Sequence, residues 1–177
     1  MKQRELEVTA KAIIDSNLYM TLGTADEEGR PWATPVYFAP DGYSEFLGFS
    51  GASLRLAERE ARKPAPRAGR FLWVSAPETR HSMNLAARPE LGIVIFDSRH
   101  PIGTGQGVYM SAVAGELVGS DRDRATDIFS GRGVSHGGEP WTLEDVSPPA
   151  RHRLYRAVAS EHFVLGPHDG RTPVSLE

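Results

Sequence analysis

The chain predicts a mainly β fold, a closed or partly closed antiparallel barrel with peripheral helices. Three observations carry this. Predicted strands outnumber helices, most of them are joined by short turns, and one stretch near the middle reads strand, polar turn, short helix, strand. With 177 residues and 40% hydrophobic content, one domain with a well-buried core is expected over residues 1–177.

The elements follow in order. Leu6, Ala10, Ile13 and Ile14 recur at helical spacing in a charged N-terminal segment, and Asp15-Ser16-Asn17 ends that helix. Residues 18–24, the turn Asp26-Glu27-Glu28-Gly29 and residues 32–39 form a hairpin signal, and Asp41-Gly42 turns the chain into a third strand over 43–49. Residues 71–75 and 93–96 are aromatic and β-branched runs on either side of the polar turn and its helix, with Arg88-Pro89 preceding the second run. Residues 108–118 predict a longer strand whose small residues Ser111, Ala112, Ala114 and Gly115 would permit close approach of a backbone or ligand. A helix is expected over 121–129 with Ser120 as N-cap, a glycine-rich mobile loop over 131–138, a short helix starting at Pro148 and running through Tyr155, and a last strand over 161–165. Tyr155, Arg156 and His162 then fall at a helix–strand junction.

Residues 51–70 break the rhythm. They are rich in Ala and Arg, contain Pro64 and Pro66, and offer only Leu54 and Leu56 as large apolar anchors, the composition of an exposed helix or loop. Similar texts flank them, FLGFS at 46–50 and FLWVS at 71–75. Either two neighbouring strands look alike, or an exposed insertion at 51–70 splits one strand.

Charge and composition narrow the function. A formal net charge of −3 gives no field that would attract nucleic acid or an anionic membrane, so any anion site must be local. The absence of cysteine excludes disulfides, thiolate metal sites and a Cys nucleophile. No run approaches the roughly 18 apolar residues of a membrane span, and the N-terminus has no apolar signal core, so a soluble cytoplasmic protein is expected. The six histidines, at 81, 100, 136, 152, 162 and 168, lack metal-ligand pairing, and no metal site is expected. Residues 103–107 are glycine-rich but have neither the ending of a P-loop nor dinucleotide-motif spacing.

The polar turn is the strongest functional signal. A helix opening near Thr79-Arg80-His81-Ser82-Met83-Asn84 would place free amides, a positive dipole end, a guanidinium fork and hydroxyls together, which suits a phosphate. The other reading makes Thr79 a helix cap, Arg80 a solvated cation and Asn84 a polar residue on the exposed side.

Three texts together resemble the pyridoxamine 5′-phosphate oxidase-like flavoproteins, the FMN-binding split β-barrel family: LYMTLGTADEEGRPWATPVYF at 18–38, FLWVSAPETRHSMNLAARPELGIVIFDS at 71–98 and GVYMSAVAGEL at 107–117. The resemblance implies a six- to seven-stranded antiparallel split barrel that forms a homodimer, with FMN in a groove between subunits. It places the family's phosphate-binding hydroxyl-Arg-Lys run on Thr79, Arg80 and His81, with Ser82 and Asn84 supporting the phosphate or ribityl chain. His81 departs from the more usual Lys, which makes its charge conditional on pH. The flavin ring would lie against two adjacent strands carrying Ala33, Thr34 and Pro35, and Trp73, Val74 and Ser75, although Trp73 and Val74 read equally well as barrel core. Gln106 would reach the flavin from the second subunit. The activity so implied is FMN-dependent oxidation–reduction of a small molecule. Coenzyme F420 as the cofactor, or a non-catalytic flavin- or haem-binding module, are the alternatives. The C-terminal HDGRTPVSLE lacks the substrate-binding Arg/His pattern of true pyridoxamine phosphate oxidases, which argues against vitamin B6 oxidation.

Overall fold

A computed structural model describes residues 3–42, 69–165 and 170–176. The expected strand over 43–49 and residues 51–68 of the expected insertion lie outside the described residues. The last two positions of that expected insertion, 69 and 70, belong instead to a turn and to the first residue of a strand.

The described chain runs α1 (Gln3–Ser16), β1 (Tyr19–Ala25), β2 (Pro31–Tyr37), β3 (Ala39–Pro40), β4 (Arg70–Ser75), α2 (Arg80–Ala87), β5 (Glu90–Phe96), β6 (Gly107–Glu116), α3 (Gly119–Ser135), β7 (Arg153–Leu165) and β8 (Arg171–Pro173). All strand pairs are antiparallel, in the order β2-β1-β5-β6-β7-β4-β3, with β8 on β7. Eight strands are therefore present among the described residues, where six or seven were expected, because β3 and β8 are short pieces of two and three residues.

The sheet curls until its two ends are joined through one stretch of chain. Residues 31–37 pair with β1, and residues 39–40 pair with Leu72 and Phe71 of β4. Between them Phe38 donates its amide to the Leu18 carbonyl and buries its ring against Phe71, with centroids 5.9 Å apart. The strand thus leaves β1 and reaches β4, opening a wedge between the start of β2 and the end of β4. This makes the barrel split. The two strands that carry 33–35 and 73–75 are consequently not hydrogen-bonded neighbours.

The core fills the curl. Met20, Leu22, Phe71, Trp73, Ile93, Ile95 and Val108 are fully buried inside, and α1 lays Leu6, Ala10 and Ile14 on them. A second cluster lies behind β4, where Leu72 and Leu154 pack on Ala125 and Phe129 of α3.

Three expectations fail here for physical reasons. The segment from Pro148 is not helical: it turns through a cis Pro148-Pro149 bond and enters β7 at Arg153, which places Tyr155, Arg156 and His162 all in one strand. Both faces of early β7 are covered, Tyr155 and Ala157 by the barrel core and Leu154 by α3, so its alternation is hidden in the sequence. A bulge at Ser160 then inverts the inward parity, from Ala157 and Ala159 to Val164. Residues 131–135 are helical rather than loop, because Ala125, Phe129 and Arg132 continue one buried face along α3. That helix closes at Gly137 (φ +82°) with a Schellman pattern, Gly138 N–H to Gly133 C=O and Gly137 N–H to Val134 C=O. Ser120 lies inside the helix; the N-cap position is Val118, with no side-chain cap bond.

No helix among the described residues is long and apolar enough to cross a membrane.

Candidate functional site

The wedge ends at the turn between β4 and α2. Thr79 takes the N-cap position in extended conformation, yet its hydroxyl makes no cap bond. It donates to the Ala76 carbonyl at 2.9 Å and lies 2.9 Å from Ser82 Oγ and 3.0 Å from Ser75 Oγ. The first amides of α2, at Arg80, His81 and Ser82, precede any intrahelical acceptor; the ladder begins with Met83 N–H to the Thr79 carbonyl. The helix stops where Arg88 donates back to Asn84 and Pro89 follows.

His81 turns inward. It is 6% exposed, and its Nε2 sits 2.8 Å from Ser75 Oγ and 3.3 Å from Thr79 Oγ1. Burial pushes its pKa below the ordinary histidine value, so the ring is neutral at pH 7. Ser82 is buried, and the Tyr155 phenol is pushed up by burial. Asn84 is buried too, not on the exposed side: its Nδ2 donates to Thr24 Oγ1 at 3.0 Å and ties α2 to β1. Thr79, His81, Ser82 and Ser75 therefore form one internal polar network, in which Asn84 stands apart on its own bond.

Arg80 is the exposed cation of this turn. Its guanidinium lies over the Trp32 ring, 4.5 Å from the centroid, and Trp32 is itself 41% exposed. The neighbouring carboxylate of Glu78 is held by Arg151 at 3.1 Å and does not engage Arg80. An anion arriving here meets one guanidinium and three open amides in a helix N-terminal field.

The wall residues divide by side. Ala33 and Pro35 are exposed on the outer face of β2, whereas Thr34 shares the inner face with its pair Leu22, and its Oγ1 is buried with no hydrogen-bond partner. The Trp73 side chain is fully buried and stacked on Tyr155, with centroids 5.5 Å apart and planes at 15°; its Nε1 also has no partner. Val74 packs into the cluster beneath α3. Trp73 and Val74 thus use their side chains in packing, and what they present to a ligand in the wedge is backbone. Gln106 is exposed just before β6, at the Phe96 end of the sheet, and the register from Phe96 through Val94 to Thr21 sets it opposite the Trp32 end of β1. Within one chain it does not join Arg80.

Sequence reasoning placed Trp32 on the ring-contacting strand but missed its contact with Arg80, and it missed Thr24 and Tyr155 as members of this site. Their partners are distant in the chain; Thr24 reads locally as an ordinary strand residue, and Tyr155 reads as the end of a helix. Among the described residues no group of three potential metal ligands exists.

Against this geometry, the sequence profile described as pyridoxamine 5′-phosphate oxidase matches residues 6–163. No curated protein matches the chain. A haem-binding protein from Mycobacterium smegmatis shares the fold with a TM-score of 0.64 at 15% identity, over 96% of this chain and 57% of that one, so the chain spans little more than half of that relative. HutZ, a haem storage protein from Vibrio cholerae, gives 0.61 at 17% identity over 93% and 95% of the two chains. An F420 reductase gives 0.54 at 13% identity over 86% and 94%. At such identities the likeness is one of fold.

Proposed function

The chain belongs to the pyridoxamine 5′-phosphate oxidase family, and from that premise we propose that it is an FMN-dependent oxidoreductase acting on a small molecule, with the phosphate held at the start of α2. The observation that carries this is the exposed Arg80 guanidinium over Trp32, at a helix N-terminus that opens onto the wedge. The residues present fit a flavin. Arg80 and the amides of residues 80–82 match a phosphate dianion. Thr34 Oγ1, buried without a partner on the inner face of β2, matches a hydrogen-bonding ring edge, a reason for an orphaned polar atom that packing alone does not give. When bound, the flavin supplies the hydride or electron transfer.

The chain's own part is positioning. Arg80 fixes the anionic end. Thr79, Ser82 and neutral His81 hold the turn rigid through their mutual bonds, and Asn84 keeps α2 seated on β1. A second copy would bring Gln106 to the ring, since this chain's own Gln106 lies at the opposite end of the barrel; the outer faces of Gly23, Gly92 and Ser111, paired in register, offer the flat surface on which copies could meet.

Purified protein should carry, or take up, FMN with its visible bands, and NAD(P)H should bleach them. If added FMN neither binds nor raises the Tm, the flavin assignment falls.

A non-catalytic binding module for haem or flavin, or a deazaflavin reductase using F420, is the second reading. It draws support from the single exposed cation at the phosphate turn, where His81 contributes no charge, and from the relatives that bind haem or are F420 reductases. A flavin that binds yet never reduces favours the module; reduction only with reduced F420 favours the deazaflavin.

A further inference from the structure

A cavity lies away from Arg80, at the other end of β2 from Trp32. It measures about 520 Å³ and is formed by Leu18, Tyr19 and Tyr37 on one side and by the end of α3 with residues 136–141 and Asp145 on the other. That volume is in the range of small-molecule clefts. Tyr37 lies five residue steps along the strand from Trp32, about 16 Å at an extended rise, so the two places are distinct.

Its walls are built rather than incidental. Tyr37 and Trp141 both pack edge-on against Phe129, with centroids 5.4 and 6.2 Å away, and Tyr19 packs edge-on against Tyr37 at 6.2 Å. Three aromatic rings are therefore fixed around one space. Tyr19 lines the cavity and stays 60% exposed, so its ring is reachable from solvent. The acidic side chains of the lining are Glu139 and Asp145. Hydrogen bonds from the Thr142 amide and hydroxyl lower the Asp145 pKa, which keeps it ionised. Arg132, whose charge acts on Tyr37, is buried and bonded to the Asp15 and Asn17 carbonyls. His136 Nδ1 must carry its proton, because its partner at 2.8 Å, the Arg132 carbonyl, can only accept; a neutral ring therefore leaves Nε2 as an acceptor.

We propose that this cavity binds a small organic cation, an ammonium on an aromatic or aliphatic body. The aromatic faces attract the cation, the two carboxylates neutralise it, and Nε2 of His136 accepts one N–H. The site does not depend on the flavin reading.

Gly133 provides the test. It lines the cavity within α3, and a Cβ placed on it meets nothing within 4 Å. Gly133→Leu should project an isobutyl group into the cavity and obstruct it while raising helix propensity. Calorimetric titration of the full chain would use benzylamine, a cation at about pH 7.5, and benzyl alcohol as its uncharged match. Saturable benzylamine binding is expected, about tenfold tighter than benzyl alcohol, lost in Gly133→Leu at unchanged or higher Tm, and weakened in Glu139→Gln. Binding should persist in Arg80→Ala, whatever becomes of FMN. Should Gly133→Leu fail to fold, Tyr19→Ala removes one exposed wall instead and should weaken benzylamine. No saturable binding, equal affinity for the two probes, or unchanged affinity in the folded Gly133→Leu or Tyr19→Ala protein would overturn the proposal.

Discussion

Adjacent residues 80 and 81 illustrate how the same turn divides its labour. Arg80 faces solvent and Trp32; His81 faces the barrel and Ser75. Arg80→Ala should therefore weaken FMN by about 10- to 100-fold, the loss of a charge-assisted fork, with the Tm of the ligand-free protein unchanged, as equilibrium titration and thermal melts would read. His81 predicts the reverse pattern. Its folded pKa lies below the unfolded value near 6.5, so below that value the unfolded chain binds more protons. Stability is full above about 6.5 and declines as pH falls toward the lower folded pKa; urea unfolding at stepped pH should show that slope, and His81→Gln should flatten it. Gly69 offers a third test. It holds φ +78° against the ring of His162, where a Cβ would collide with Nε2. Gly69→Ala should cost about 2 kcal/mol or more in chemical denaturation.

At the scale of elements, α1, the first hairpin and β5 were legible because each has one wet face and one dry face, so the alternation or helical spacing survives in the text. By contrast β4, covered on both faces, was legible from its aromatic and β-branched composition. Tyr19–Ala25 shows the alternation, with Met20, Leu22 and Thr24 buried in turn. Early β7 was illegible because Leu154 and Tyr155 are both buried on opposite faces, and its Pro-Pro entrance imitates a helix start. The end of α3 was illegible because Gly131 and Gly133 read as loop, while tertiary burial of Phe129 and Arg132 outweighs a glycine penalty of about 1 kcal/mol each. The candidate site was half legible. The turn's donors could be read from neighbours in sequence, but which of them face inward depends on Ser75, Thr24 and Tyr155, supplied by other strands. Arg132 joins two elements in the same hidden way, its guanidinium bonding the last carbonyls around the end of α1 while burial pushes its pKa below the ordinary arginine value. Arg132→Ala should lose about 2–4 kcal/mol in urea unfolding.

For the whole molecule, the outer sheet face carries the proposed association. Gly23, Gly92 and Ser111 lie in one exposed row, and Val113 pairs with Val158 beside them, 52% and 46% exposed. Sedimentation should give twice the 19.4 kDa chain mass, and Val113→Asp with Val158→Lys should shift it to the single-chain mass; a monomer in the parent chain removes the shared-groove arrangement. The bend at Phe38 has a consequence for motion. Residues 31–40 belong to both ends of the sheet, so their backbone amides cannot be released from β1 without loosening the contact with β4. Hydrogen exchange should then report Val36, Tyr37, Phe38 and Leu72 as one cooperative opening with a common free energy. A ligand seated in the wedge would slow all four together, although it touches only the first half of that strand.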